Sequence, residues 1–307
     1  MTTTAKAKIK TLQLTVHTSD IRLDKYVAEA LPQFSRTRIQ KLIEQEYILV
    51  NEQRAKASQR LNDSDKITIK LPPPTHPPIA EPIPLTIIYE DKDIIVVDKP
   101  AGLVVHPAPG HSNHTLVNAL LAHCPSLAMG NDLMRPGIIH RLDKDTSGLI
   151  VIVRSDYARQ YLVNQFKSHA VTKGYLVLVK GRLSPERGVI EAPIGRDPHN
   201  RKRMAIVETG KEASTQYKVK KYLNNYTLLE ITPLTGRTHQ IRVHLAAIGY
   251  PVVGDLTYGV KSLYIKRQFI HAYRLGFRLP STSEYQEFTS LLPPDLKQAL
   301  KLFAHSA

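Results

Sequence analysis

Cysteine is almost missing from this chain: Cys124 is the only one in 307 residues. No intrachain disulfide can form, which fits a reducing cytosol. Long apolar runs are missing too, so no segment reads as a membrane span. The start, Met1 to Lys10, carries three lysines but no apolar stretch follows, and it does not read as a secretory signal. There is no Gly-x4-Gly-Lys-Ser/Thr loop and no Gly-x-Gly-x-x-Gly fingerprint, so nucleotide cofactors are not indicated. His106, His111 and His114, or His239 and His244, lack the cysteine and carboxylate partners of a metal site. Acidic residues are scarce, 27 against 42 Lys plus Arg, leaving a net charge of +15. Such an excess favours a polyanionic partner, because phosphate contacts release condensed counterions. These deficits together predict a cytoplasmic, metal-free protein that meets nucleic acid.

Proline is concentrated rather than scarce. Seven of the 21 prolines lie between Pro72 and Pro84, a density that resists helix and sheet and reads as a semi-rigid spacer. The expected organisation is a disordered head at 1–19, a small αβ domain at 20–71, a linker at 72–84 and a large domain at 85–307. In the small domain, Leu23, Val27, Ala30 and Leu31 follow helical spacing until Pro32. Ser35 is placed to cap a second helix with Ile39, Leu42 and Ile43 inside. Arg36 in its first turn, with Arg38 and Lys41, then forms a basic surface able to grip phosphates. Ile48–Val50 and Ile67–Ile69 read as short strands.

The large domain shows apolar strands at Leu85–Tyr89, Ile94–Val97, Leu149–Val153, Tyr175–Val179, Lys218–Leu223 and Thr227–Ile231. Helices fall near Thr115–His123, Tyr157–Phe166 and Pro294–Phe303. Without a regular βαβ rhythm, this predicts an α+β fold with a mixed, largely antiparallel sheet flanked by helices.

Three segments carry candidate chemistry. The first is the charged loop Arg135–Gly148, with His140-Arg141-Leu142-Asp143 just before the strand Leu149–Val153; a loop fixed by a rigid strand is a common place for an active site. The second is Gly236–Leu245, where Thr238 is placed to cap a helix with Ile241, Leu245 and Ile248 inside. His239 and Arg242 then share another side, and the arginine is well held to meet a carboxylate. The third is Thr172–Gly181, with Tyr175, Val177 and Val179 on one strand face.

These segments resemble the three motifs of the ribosomal large-subunit pseudouridine synthases, with His140–Asp143 and Thr146-Ser147-Gly148 as the signature. Glu90–Pro100 with Gly102 and His106-Pro107, Gly254-Asp255 with Tyr258-Gly259, and His271-Ala272 agree as well. Residues 20–71 resemble the S4 RNA-binding module. The arrangement looks most like the type that modifies the helix 69 stem-loop of large-subunit RNA. The resemblance implies a cofactor-free, monomeric isomerase with a central cleft, acting on ribosomal RNA by flipping a uridine out of its stack. It makes Asp143 the catalytic aspartate, acting either as nucleophile at the sugar or as base toward a sugar proton. Arg242 would pair with Asp143 and stabilise its charge. Tyr175 would stack on the uracil, and Arg141 would fill the vacated space in the RNA. His140, Lys173, Arg237, His239 and Gln240 would line the RNA contact. Arg201, Lys202 and Arg203, in the basic stretch Arg196–Lys221, would belong to a hairpin that enters an RNA groove. Two competing readings remain: a non-catalytic S4-type ribosome assembly factor, and a hydrolase using Asp143 with His140.

Overall fold

A computed structural model describes residues 10–32, 34, 36–71, 77–108, 110–127, 134–200 and 203–305. The chain divides into two compact units, residues 1–76 and 77–307.

The first unit is built on short alternating strands. It contains β1 (Lys10–Thr15), β2 (Ile21–Arg22), α1 (Leu23–Ala30), α2 (Arg36–Glu44), β3 (Ile48–Val50), β4 (Gln53–Arg54), β5 (Arg60–Leu61) and β6 (Lys66–Leu71). The main sheet runs β1-β6-β3-β4, wholly antiparallel, with β2 and β5 paired apart from it. Leu23 and Val27 of α1 and Ile39, Leu42 and Ile43 of α2 pack on Ile48, Ile67 and Ile69. The head expected to be disordered through residue 19 instead supplies β1. Its Leu12 and Leu14 alternate with polar neighbours, pair opposite Ile69 and Ile67, and pack on the core; period-two alternation of this kind is a strand signal. Ala30 is exposed rather than packed, and the Ser35 cap lies outside the described residues.

The proline stretch is not a free spacer over its whole length. Residues 72–76 lie outside the described set, but the chain beyond is fastened to the second unit. Asn118 donates to the Ile79 carbonyl at 2.7 Å, Glu81 N donates to the Asn118 carbonyl at 2.9 Å, and the Glu81 carboxylate accepts from His114 N at 3.0 Å.

The second unit carries β7 (Thr86–Glu90), β8 (Ile94–Lys99), α3 (Leu116–His123), β9 (Ser147–Val153), α4 (Asp156–Lys167), β10 (Thr172–Lys180) and β11 (Arg187–Glu191). There follow β12 (Ile194–Arg196), β13 (Met204–Ile206), β14 (Ser214–Leu223), β15 (Tyr226–Pro233), α5 (Gln240–Ala247), β16 (Ile270–Arg278), β17 (Tyr285–Thr289) and α6 (Pro294–His305). Nine strands form one sheet in the order β11-β14-β15-β10-β16-β9-β8-β7, with β17 also on β16; β12 and β13 form a separate hairpin. Only the β16–β9 pairing is parallel, so the sheet is mixed and largely antiparallel, as the strand pattern predicts.

Every residue of β9 is buried, which is why Ser147–Val153 reads as a continuous apolar run rather than an alternating one. Leu149, Val151 and Val153 face α4 through Ala158 and Leu162, while Ile150 and Ile152 face α3 through Leu116 and Leu120. Further along the sheet, Val177, Val179, Leu229 and Ile231 meet Ile241 and Leu245 of α5, and Leu178 meets Leu296 and Phe303 of α6. Tyr175 packs against both the α3 and the α5 cluster. It therefore stands where the two half-cores of one sheet face meet. Gly148 has a positive φ of 115°, and a Cβ there would lie 2.3 Å from the Ala272 carbonyl oxygen. Only glycine lets β9 approach β16 this closely, and that approach brings the Arg135–Gly148 loop beside β10.

Candidate active site

The loop entering β9 is held from several sides. Leu142 is buried in the α3 cluster, and Thr146 N donates to the Asp143 carbonyl at 3.1 Å. Beneath the loop lies Lys99, among the largest fully buried side chains of the described residues. Its ammonium donates to the carbonyls of Pro100 at 2.8 Å, Leu103 at 2.9 Å and Lys144 at 3.0 Å. Burial pulls its pKa down to about 7, against the opposing charges of Asp145 and Asp143. Lys99 received no role from the sequence, although a lysine ending an apolar strand and preceding a proline was visible. Its three acceptors are backbone carbonyls, which carry no side-chain signature.

Arg242 comes from α5, 99 positions after Asp143, and meets it directly: Nη1 donates to Oδ2 of Asp143 at 3.0 Å. The same guanidinium grips Asp255 in a two-point fork, Nε to Oδ2 at 2.7 Å and Nη2 to Oδ1 at 2.9 Å. Burial opposes the charge on Arg242, but the bonds to Asp255 and the charge of Asp143 more than offset it, and its pKa is raised. Asp255 is fully buried; burial alone would raise its pKa, yet Arg242 and the amides of Thr257 and Tyr258 pull it below the ordinary value. A bidentate arginine fork fixes orientation as well as charge. Asp255 thus clamps Arg242, and Arg242 presents its remaining edge to Asp143. The sequence placed Gly254-Asp255 only within a pattern of likeness; its bonds to Arg242 depend on the fold.

Asp143 opens onto a cavity of about 710 Å³, also lined by His106, His140, Arg141, Lys173, Tyr175, Arg237, His239 and Gln240. That volume lies in the range of small-ligand sites and admits a nucleoside. Tyr175 sits at a bulge between Gly174 and Tyr175 in the β10–β16 pairing, a device that re-aims a side chain. Burial, and after it the charge of Asp143, raises the pKa of its hydroxyl, so the ring enters the cavity protonated. Lys173 is also depressed by burial. Arg141 is exposed at the rim.

Other expected contacts are spent on the protein itself. His140 accepts the Val151 amide on Nε2 at 3.0 Å and stacks on Phe166 at 4.8 Å between centroids. Burial, then Lys173, pushes its pKa down to about 3, leaving a neutral ring that anchors the loop. This removes the hydrolase reading, because the acceptor nitrogen is already engaged. Gln240, expected to touch RNA, is buried and bonds Ser214 O, Thr215 Oγ1, Thr235 Oγ1 and Arg237 N. Thr238 does not cap α5: His239 holds the N-cap position in a left-handed conformation at φ 57°, without a side-chain cap bond. Ile248 is exposed rather than inside. Arg237 donates through Nε to the Glu212 carbonyl at 3.0 Å.

The remaining basic candidates fall elsewhere. Arg203 adjoins the β12–β13 hairpin, with its Cζ 5.0 Å from the Tyr258 ring centre; Arg201 and Lys202 lie outside the described residues. Arg36, Arg38 and Lys41 are exposed on α2 of the first unit, but Arg36 is tied to the buried Asp24 at 2.9 Å.

Comparison with known proteins agrees with this geometry. Residues 93–247 match the model of the RNA pseudouridylate synthase family, and residues 21–67 match the S4 domain. An RNA pseudouridine synthase of Chloroflexus aurantiacus is 51% identical over 91% of this chain and 89% of its own length. The ribosomal large subunit pseudouridine synthase D of Nitrosomonas europaea is 42% identical over 97% of this chain and 90% of its own. A solved structure, human RNA pseudouridylate synthase domain containing 1, is 28% identical and superposes with a TM-score of 0.57, covering 74% of this chain and 97% of that one. The chain belongs to the RNA pseudouridylate synthase family, isomerases that convert uridine in RNA to pseudouridine.

Proposed function

We propose that this protein isomerises uridines of large-subunit ribosomal RNA, with Asp143 as the reacting carboxylate. The Asp143–Arg242 pair at the cavity wall carries the reading. The substrate class draws support from the ribosomal large-subunit synthase of Nitrosomonas europaea. A uridine must leave its stack to expose the atoms that react, and the cavity has room for it. The C1′–N1 bond breaks, the uracil turns, and a C1′–C5 bond forms; C5 loses its proton and N1 gains one, so the product is an isomer and no oxidant or reductant is consumed. An ionised carboxylate serves this sequence whether it attacks C1′ or takes a sugar proton. Arg242 holds and orients Asp143 through a 3.0 Å bond, Tyr175 offers a ring to the uracil, and Arg141 at the rim occupies the space the base leaves. Lys173, Arg237 and His239 border the flipped nucleotide, while Arg203 with Arg201 and Lys202 holds phosphates. Arg38 and Lys41, with the partly exposed Arg36, hold phosphates through the S4 domain. The protein acts in the cytoplasm as a single chain, and it requires no cofactor.

The test is tritium release from large-subunit RNA transcribed with 5-tritiated uridine. Asp143→Asn should lower the rate by at least about a thousandfold while RNA affinity stays within about twofold of wild type. Undiminished release by that variant would remove Asp143 from the chemistry. Absence of release from wild type as well would instead favour the competing view of a non-catalytic S4-type assembly factor.

A further inference from the structure

Tyr258 stands where the basic hairpin, α5 and the Asp255 turn converge. Its ring packs with Met204 against a small core of Ile194, Ala213 and Val243. One side chain thus meets β13 at Met204 and α5 at Arg242. Its hydroxyl accepts the Met204 amide at 2.7 Å and lies 2.9 Å from Nδ1 of His239. With the amide donating, the hydroxyl proton is left for His239, whose ring burial keeps below its ordinary pKa and hence neutral. Two guanidiniums attend the ring: Cζ of Arg203 lies 5.0 Å from its centre and Cζ of Arg242 lies 5.1 Å away. Both distances are within the range of cation–π attraction.

The backbone that carries Tyr258 is held firmly. Oδ1 of Asp255 accepts the amides of Thr257 at 2.8 Å and Tyr258 at 3.2 Å. Gly254 opens this turn at φ 76°, where a Cβ would fall 2.1 Å from the Arg267 carbonyl oxygen. Asp255 therefore sets Arg242 directly and sets Tyr258 through its amide.

The geometry points to Tyr258 as a positioning residue that links RNA seating on the Ile194–Ile206 hairpin to the placement of Arg242 and His239 at the reacting carboxylate. Phosphates bound by the hairpin act on Arg203 and the neighbouring Met204 amide, and both meet Tyr258. Its ring and hydroxyl pass that placement to Arg242 and His239 across rigid, packed contacts. RNA that seats the hairpin correctly is thereby rewarded in the chemical step and not only in affinity. This rests on the isomerase reading above.

The test measures single-turnover tritium release and filter-binding affinity on the full chain, using large-subunit RNA transcribed with 5-tritiated uridine. Tyr258→Phe keeps the ring and loses the hydroxyl; its rate should fall about tenfold, the worth of one hydrogen bond, with Kd unchanged. Tyr258→Leu also loses both ring contacts, and its rate should fall about a hundredfold. Arg203→Ala should slow wild type more than it slows Tyr258→Leu, because the second change acts on a ring contact already removed. A wild-type rate in Tyr258→Phe overturns the proposal. So does a parallel loss of rate, affinity and melting temperature, which marks mere packing, and so do strictly additive effects of Arg203→Ala and Tyr258→Leu. If wild type itself released no tritium, the isomerase reading would fail instead, so the two failures are distinguishable.

Discussion

The two units each bury one acid–arginine cluster, and the two clusters have opposite stoichiometry. In the first unit a single carboxylate, the fully buried Asp24, is shared by Arg22 at 3.0 Å and Arg36 at 2.9 Å, with Gln40 adding a bond at 2.7 Å. The surplus charge is positive and reaches solvent, since the arginine side chains are 40% and 52% exposed. In the second unit a single guanidinium, nearly buried Arg242, is shared by Asp255 and Asp143. The surplus there is negative and faces a cavity. In the function we propose, the same ion-pair chemistry serves to grip phosphates when the buried partner is the acid. In that proposal it presents the reacting carboxylate when the shared partner is the base.

The largest expected effect comes from breaking the second cluster at its centre. Arg242→Met leaves Asp143 and Asp255 without their shared cation; kcat should fall about a thousandfold. Arg242→Lys should recover little, because an ammonium cannot span both carboxylates with a planar fork. Recovery to near wild type by lysine would mean that charge alone, without geometry, is enough. Asp255→Asn should cost less, about ten- to a hundredfold in kcat at constant RNA affinity, because Asp143 still holds one edge of Arg242. A larger loss than in Arg242→Met would invert the proposed order of dependence.

Asp24→Asn provides the contrasting case. It should weaken RNA binding and lower the stability of the first unit by about 1–2 kcal/mol, a figure kept small because both arginines reach water. At saturating RNA its kcat should match wild type; a fall in kcat would show that the clusters are not separate in function. Asp24 and Asp255 also predict acid sensitivity. Both pKa values lie below the ordinary carboxylate range in the folded protein. Their contribution to stability is therefore complete above about pH 4 and is lost as pH falls through the depressed folded values. Thermal melting between pH 6 and pH 2, compared for wild type and the two Asn variants, measures it. The smallest effect is expected on the outer surface: Arg38→Ala with Lys41→Ala should reduce the slope of log affinity against log salt by about 1–2. An unchanged slope would remove α2 from the RNA contact.

The sequence made the two clusters unequally legible. The apolar runs of β8, β9 and β10, and the helices α3, α4 and α6, stand out because burial on both sheet faces or along one helix stripe leaves a strong pattern. The signature around Asp143 was equally clear, being local. What could not be read was whatever depends on approach between distant segments: the Asp255 fork on Arg242, the Lys99 ammonium beneath Lys144, and the Tyr258 junction. β1 was misread because six residues of alternation after a basic start are a weak signal, and only pairing with β6 makes them a strand. The cap expected at Thr238 failed for a related reason. The Gln240 amide, which a Thr238 cap would have taken, donates instead to the Arg237 carbonyl at 3.1 Å, and the helix starts one residue later without a hydroxyl cap.

The central claim is that one carboxylate, paired with Arg242, performs an RNA isomerisation. The most direct measurement is a carbodiimide map of pseudouridines in large-subunit ribosomal RNA from three strains: wild type, a strain lacking this gene, and that strain carrying the Asp143→Asn form. A defined set of pseudouridines should be present in the first strain and absent from both others. Identical maps in all three, or restoration of the set by Asp143→Asn, would contradict the account.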